Sequence, residues 1–456
     1  MFRFIFLSIC VITLTFADFN EDDFVTKNLN ILEEFDIHSN YIYDVKFQKY
    51  YKNISKRYKK RYYYHLDNAQ IYIPEIKSIL KENGLPSVFL YLAMAESNFI
   101  LEARSYKKAI GIWQFMPTTG ELYDLRKNDY IDERMDFIKS THAAVEHLQR
   151  LHKIFGKWYL AAIAYNCGEA RVIEGLTRAT LDMYCEDNDC KSDKTIKKYR
   201  KIIKDYQRKK IKFRSVYRVY KTVKKWDYKP DIEELLHEQR GLRRQYIPDE
   251  SRDYIRKILS FAMMNNSNEL IKEENKHLLN SGIASPIATV KVKGGILLKN
   301  LADVIGMSKK ELKELNPHLK RNLTPPDENE YNLHIPYSKL AVFKQNIEFI
   351  KPNQFISYTV KKGDSLGKLG SKFRISYKLI KKYNNLKTNV LSLNQHLVIP
   401  VDPETYKRPR TYRVKSGDTL GKIATKFGVK IRKIQKDNNI NNSIIRVGEK
   451  LVINFN

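Results

Sequence analysis

The chemistry this chain offers begins with one carboxyl group at the end of an apolar run. Val88-Phe89-Leu90-Tyr91-Leu92-Ala93-Met94-Ala95 leads into Glu96 and holds no other carboxylate, ammonium or guanidinium. A carboxyl in such a setting is partly desolvated, which favours its neutral form and raises its pKa. Leu85-Pro86-Ser87 before the run marks a helix start, and Asn98-Phe99 follows it. Glu96 therefore falls near a helix C-terminus, where the helix dipole also disfavours negative charge. Both effects point to a proton donor suited to general acid catalysis.

Further along come Ser105, then Gly111-Ile112-Trp113-Gln114-Phe115-Met116-Pro117, then Ala164-Tyr165-Asn166-Cys167-Gly168-Glu169-Ala170, and finally Pro248-Asp249-Glu250-Ser251-Arg252-Asp253-Tyr254. In this order and spacing, the blocks resemble the soluble-lytic-transglycosylase-like catalytic domain of goose-type lysozyme fold, over roughly residues 67–265. The resemblance implies a mostly helical lysozyme-like domain with a cleft for the glycan strand of peptidoglycan. Its single acid/base falls on Glu96, paired with Ser97. Ser105, Gln114 and Met116 match positions that line the sugar sites, Tyr165 and Asn166 match a Tyr-Asn pair beside the carboxyl, and Glu250 matches a second acidic position. Read as residues, Trp113 and Met116 serve equally as core. Gly111 and Gly168 suit tight turns, whereas Tyr165 and Gln114 carry a polar tip on an apolar body, as a sugar groove needs.

With one acid instead of two, the resemblance implies cleavage without water. Protonated Glu96 gives its proton to the glycosidic oxygen, and the N-acetylmuramic acid C6 hydroxyl closes a 1,6-anhydro ring. A hydrolase of the same bond needs a second carboxylate. A muramidase, and a non-catalytic wall-binding scaffold, are the alternatives. No metal or organic cofactor is implied. Two features depart from the pattern. Cys167 stands where Ser or Ala is usual, and a stretch rich in Lys, Arg and Tyr, about residues 173–246, is longer than the usual connection.

Elements that hold these residues continue into a repeat. Tyr358-Thr359-Val360-Lys361-Lys362-Gly363-Asp364-Ser365-Leu366-Gly367-Lys368 recurs as Tyr412-Arg413-Val414-Lys415-Ser416-Gly417-Asp418-Thr419-Leu420-Gly421-Lys422. Each copy predicts strand, Gly-Asp turn, helix capped by Ser365 or Thr419, second helix and closing strand. Residues 356–401 and 411–454 resemble LysM modules, small α+β units of βααβ order. The resemblance implies binding of N-acetylglucosamine-containing glycan, with candidates Gly363, Asp364 and Ser365, then Gly417, Asp418 and Thr419. Residues 286–337 repeat the pattern without the Gly-Asp turn, as a degenerate module serving as spacer.

The fold class expected is therefore multidomain, a mostly α catalytic domain followed by small modules, as 456 residues allow. Residues 1–17 predict a cleaved signal peptide, followed by a helical lead-in over 18–66. Cys10 lacks the small residue a lipid-anchored cysteine requires before it. The setting this implies is the periplasm of a Gram-negative bacterium. Cys185 and Cys190 flank a polar loop and leave open a disulfide, a zinc pair or two free thiols. A net charge of +30 from 82 Lys and Arg against 52 Asp and Glu is spread along the chain without a nucleic-acid motif. It favours an anionic wall or membrane surface over nucleic acid. A monomer is expected.

Overall fold

The computed structural model describes residues 21–128, 130–266, 285–325, 328–349, 354–373, 375–401, 410–427 and 429–454. The signal-peptide reading of residues 1–17, Cys10 included, lies outside them. Among the described residues no helix is long and apolar enough to cross a membrane. In chain order the first twelve helices are α1 (Glu21–Glu34), α2 (Val45–Ala69), α3 (Ile73–Glu82), α4 (Phe89–Ser97), α5 (Pro117–Leu122), α6 (Phe137–Phe155), α7 (Trp158–Cys167), α8 (Glu169–Asp187), α9 (Lys194–Gln207), α10 (Phe213–Val223), α11 (Ile232–Leu236) and α12 (Asp249–Asn265). Two compact units form, Met1–Phe99 with Ala144–Ile283, and Ile100–Ala143 with Ala284–Asn456. Their boundaries do not follow the order of the chain.

In the first unit α4 is apolar on every side, and Phe89 through Met94 are all buried. A helix of that kind belongs at the centre of a core. It packs against α3 and α12, and α12 contributes buried Ile255, Ile258, Leu259, Phe261 and Ala262. Each isoleucine, leucine or phenylalanine side chain removed from water contributes about 1.5–3 kcal/mol. The helix stops abruptly because Asn98 and Phe99 both take left-handed backbone, with φ of 53° and 62°. Two tyrosines hold that turn. The Tyr58 hydroxyl donates to Asn98 Oδ1 at 3.0 Å, and the Tyr72 hydroxyl donates to the Phe99 carbonyl at 2.5 Å.

The basic stretch is helical, running through α8, α9, α10 and α11. Leu181, Ile196, Ile203, Val219 and Val223 form a small core with Tyr184, Trp226 and the half-exposed cysteines. Cys185 and Cys190 are joined as a disulfide. Lys197, Lys198, Arg200 and Lys201 lie exposed on the opposite side, a solvated charged face. Glu174 of α8 is fully buried and paired with Arg171, with Arg178 at 3.5 Å and Arg244 at 3.5 Å.

The second unit carries the modules. Strands β1 (Ile287–Val292) and β2 (Tyr331–Pro336), β3 (Gln354–Thr359) and β4 (His396–Val401), β5 (Arg410–Arg413) and β6 (Lys450–Ile453) form three antiparallel pairs. Two short helices lie between the strands of each pair, so the segment without a Gly-Asp turn shares the βααβ order. One asparagine braces the last strand in all three. Asn384 accepts from Val398 N at 2.7 Å and donates to its carbonyl at 2.8 Å. Asn438 does the same to Val452, both at 2.6 Å, and Asn316 to His334 at 2.8 and 2.7 Å. Residues 100–143 pack within this unit. Ile131 bridges to Leu319, and Tyr130 and Ile131 enter the core of the first module.

Candidate active site

Glu96 sits in the last turn of α4, partly exposed, at the edge of the buried run. Burial pushes its carboxyl above the ordinary carboxylate range. Two groups on α12 oppose that effect, the Tyr254 hydroxyl and the Lys257 ammonium, while the negative charge of Glu250 adds to it. The Tyr254 hydroxyl donates to Glu96 Oε1 at 2.6 Å. Lys257 donates to the Ala95 carbonyl at 2.7 Å, and its own burial lowers its pKa. Glu250, Tyr254 and Lys257 recur at helical spacing on α12, and Glu250 is exposed in the helix's first turn. Ser97, by contrast, is buried and donates to the Ala93 carbonyl at 3.2 Å, so its hydroxyl serves the helix.

Tyr165 and Asn166 close α7, which ends at Gly168 with φ of 87°. Both are partly exposed. Ser251 of α12 donates to Asn166 Oδ1 at 2.7 Å, which fixes the amide and leaves its N–H groups as donors. The Tyr165 ring lies 5.2 Å from that of His147, whose pKa burial pushes down to about 4. Tyr165 also lies near enough to Tyr254 to help raise the pKa of that phenol, after burial and Glu96. The Cys167 thiol is half-buried, and burial pushes its pKa up, so it is a poor nucleophile at neutral pH. The first unit thus brings Glu96, Tyr254, Lys257, Tyr165 and Asn166 together around α12.

Ser105, Gln114 and Met116 belong to the second unit. Ser105 is half-buried and accepts from Ala109 N at 3.0 Å, closing a tight turn. Gln114, at φ of 50°, donates to the carbonyls of Gly111 at 2.8 Å and Ala103 at 3.2 Å. Its side chain therefore holds the loop that presents exposed Met116. Trp113 is fully buried and donates to Thr141 Oγ1 at 2.9 Å, which makes it core. At Gly111 the backbone has φ of +90°, and an added Cβ would lie 1.8 Å from the Arg134 carbonyl oxygen.

In the modules the Gly-Asp turns are self-contained. Asp364 Oδ2 accepts from Lys361 N at 2.7 Å and from the Tyr358 hydroxyl at 2.8 Å, and Asp418 repeats this with Lys415 and Tyr412, both at 2.8 Å. Ser365 and Thr419 accept from Lys368 N and Lys422 N at 3.3 and 3.1 Å, as helix caps do. Gly363 and Gly417 take φ of 86° and 78°.

The sequence alone assigns no role to Tyr254 and does not single out Lys257. The signal available was the four-residue step from Glu250, which sets Tyr254 one helical turn on.

Comparison with known proteins agrees with this architecture. Residues 74–180 match the Transglycosylase SLT domain family, residues 287–351 the LysM-like domain of lytic transglycosylase MltD, and residues 358–400 and 412–454 the LysM domain. Membrane-bound lytic murein transglycosylase D of Escherichia coli K12 is 26% identical over 404 residues, covering 84% of this chain and 76% of that protein. N-acetylmuramoyl-L-alanine amidase sle1 of Staphylococcus epidermidis is 30% identical over 179 residues, covering 37% of this chain and 52% of that protein. Among solved structures, the spore cortex-lytic enzyme SleL of Bacillus megaterium is 34% identical over 22% of each chain, with a TM-score of 0.10.

Proposed function

Since this chain is a lytic transglycosylase, an SLT domain joined to LysM-type modules, we propose that it cuts the bond from N-acetylmuramic acid to N-acetylglucosamine in peptidoglycan without water, leaving 1,6-anhydromuramyl ends. The observation that carries this reading is the environment of Glu96. Burial favours the protonated form of its carboxyl, and its hydrogen-bond partner is a phenol rather than a second carboxylate. The neutral acid protonates the glycosidic oxygen as the oxocarbenium-like state develops. The resulting carboxylate, held by Tyr254 and balanced by Lys257, then takes the proton of the C6 hydroxyl as the ring closes. The Asn166 amide, oriented by Ser251, is a donor for the substrate's acetamido group, with Tyr165 beside it. Ser105, Gln114 and Met116 contribute to the sugar sites, the first two by shaping a loop. Glu250 serves as a second acidic group of the cleft.

One observation favours a hydrolase as the second reading. The charge of Glu250 is felt at Glu96, and an exposed second carboxylate is what activation of water requires. Mass spectrometry of digests separates the two, because anhydro ends mark the transglycosylase and reducing ends the muramidase. Glu96→Gln abolishes either product while the protein stays folded. Anhydro ends released at the normal rate by that variant would refute the proposal.

The LysM modules hold the enzyme on its polymeric substrate and raise the local glycan concentration, a multivalent tether. Because Asp364 and Asp418 are spent on their own turns, contacts from Gly363, Ser365, Gly417 and Thr419 fall largely to backbone. The setting proposed is the periplasm of a Gram-negative bacterium, with the basic surface attracted to the anionic wall or to membrane.

A further inference from the structure

Within the second unit, Asp136, His318 and His334 meet in the interior. All three are buried, at 1%, 0% and 2% exposure, and one potential ligand atom from each lies within 4.8 Å of the others. His334 Nε2 is 3.2 Å from Asp136 Oδ1, and His318 Nδ1 is 3.8 Å from Asp136 Oδ2. Asp136 caps the start of α6, with Oδ1 accepting from Ile138 N and Lys139 N, each at 3.0 Å. That cap accounts for Oδ1 only. Asp136 Oδ2 and both ring nitrogens of His318 have no hydrogen-bond partner, and neither do the buried hydroxyls of Ser140 and Tyr331. Ser140 is one turn along α6, and the Tyr331 ring is 5.9 Å from that of His318. These five atoms are half of the ten buried unpartnered side-chain atoms among the described residues, although such groups are normally satisfied.

The sister modules show that the two histidines are not required by the βααβ fold. Aligned on the bracing asparagines, His318 stands where the other copies have Leu386 and Ile440. His334 stands where they have Val398 and Val452. Leu386 and Ile440 pack against their own modules' cores, Val398 packs into the core of the first module, and Val452 lies exposed on the last strand. Replacing such groups by imidazoles costs stability unless the nitrogens are engaged.

We propose that Asp136, His318 and His334 bind a divalent transition-metal ion of the zinc class, a structural clasp between the α6 start and the first module. Two imidazoles and a carboxylate suit zinc and its neighbours, whereas calcium and magnesium take oxygen donors. In a tetrahedral zinc site the ligand atoms stand about 3.3 Å apart, given metal–nitrogen distances near 2.0–2.1 Å. The 3.2 and 3.8 Å separations run to the two different oxygens of Asp136, and one ligand atom from each residue lies within 4.8 Å of the others. Closing on an ion therefore takes side-chain rotations that turn one Asp136 oxygen and both rings to a common point, with the fourth position left to water. Thr289 Oγ1 lies 3.1 Å from His334 Nδ1 and fixes the ring with Nε2 toward Asp136, the usual outer partner of a ligating histidine. Full burial makes the site structural. It ties residues up to 198 positions apart in sequence, so the degenerate module acts as a fixed brace rather than a spacer.

The test uses the purified full-length protein, stripped by chelator and titrated with Co²⁺ and then Zn²⁺. One equivalent of Co²⁺ should bind with the visible absorption of a tetrahedral nitrogen–oxygen site, and Zn²⁺ should displace it. Zn²⁺ should also raise Tm by about 5 °C or more, a shift that chelator reverses. His318→Ala should lose the cobalt spectrum and the Tm response. If that variant fails to fold, His318→Leu, which restores the sister modules' side-chain type, carries the same comparison. Less than 0.1 equivalent bound with an unmoved Tm, or equal binding by wild type and a folded His318 variant, overturns the clasp.

Discussion

Tyr254→Phe tests whether Glu96 works as an acid whose proton affinity is set by α12. The wild-type phenol is buried and donates to Glu96 Oε1 at 2.6 Å. That bond favours the carboxylate, so it lowers a pKa that burial raises. A hydrogen bond to a charged group contributes about 1.5–3 kcal/mol, and at 1.36 kcal/mol per unit its loss moves a titration by roughly 1–2 pH units. The sign follows from the role. Glu96 must be protonated to act, so activity is held below its pKa and lost as pH rises through it. Removing the phenol hydroxyl raises that pKa further, and the alkaline limb of kcat/KM moves up. Lys257→Met removes another lowering influence and moves the limb the same way, whereas Glu250→Gln removes a raising one and moves it down. The assay is the initial rate of anhydro-muropeptide release from purified sacculi across a pH series. A limb that stays in place in Tyr254→Phe, with activity reduced equally at every pH, would refute the reasoning and leave Tyr254 a packing role alone.

Other changes act on separate parts of the molecule. Glu96→Gln should abolish product, and it should narrow no stability gap at low pH. Because burial disfavours the carboxylate, the amide variant gains in Tm relative to wild type as pH rises through the raised pKa, a trend that thermal melts at several pH values check. Gly111→Ala should destabilise by about 3 kcal/mol or more in denaturant titrations, since the new Cβ meets the Arg134 carbonyl and φ is positive. Glu174→Ala leaves three guanidinium groups without their buried counter-charge and should cost about 3–5 kcal/mol by the same measurement. Deleting residues 356–456 should abolish co-sedimentation with peptidoglycan, whereas unchanged sedimentation would assign binding to diffuse charge.

Much of the local structure was legible because short-range physics sets it. The apolar run from Val88 to Ala95, opened by Leu85-Pro86-Ser87 and followed by Asn98-Phe99, reads as a buried helix that ends near Glu96, and the structure places Glu96 in its last turn. The repeat declared its strands, turns and caps through Gly363, Asp364 and Ser365 and their copies. Its polar turn residues could not reveal that Asp364 and Asp418 are engaged by Tyr358 and Tyr412 of the same module. What the sequence hid was packing between distant segments. Nothing local in residues 100–143 says that Ile131 will bridge to Leu319, because an apolar residue in a loop announces burial but not against what.

The same limit explains which site residues escaped notice. Glu96 was identifiable by contrast with its neighbours, whereas Tyr254 and Lys257 sit on an amphipathic helix where tyrosine and lysine are ordinary. Their meaning comes from a contact across 158 positions. That contact also resolves a conflict in the chemistry. A carboxyl raised by burial alone donates its proton poorly, because the conjugate base it must become is left unsupported. A phenol donor and a nearby ammonium support that base without holding the acid ionised beforehand. The net direction of the pKa remains upward, which favours the neutral acid that the proposed proton transfer requires. One acid can then act twice only if its two supports come from a rigid element, and α12, buried along most of its length and packed directly on α4, is that element.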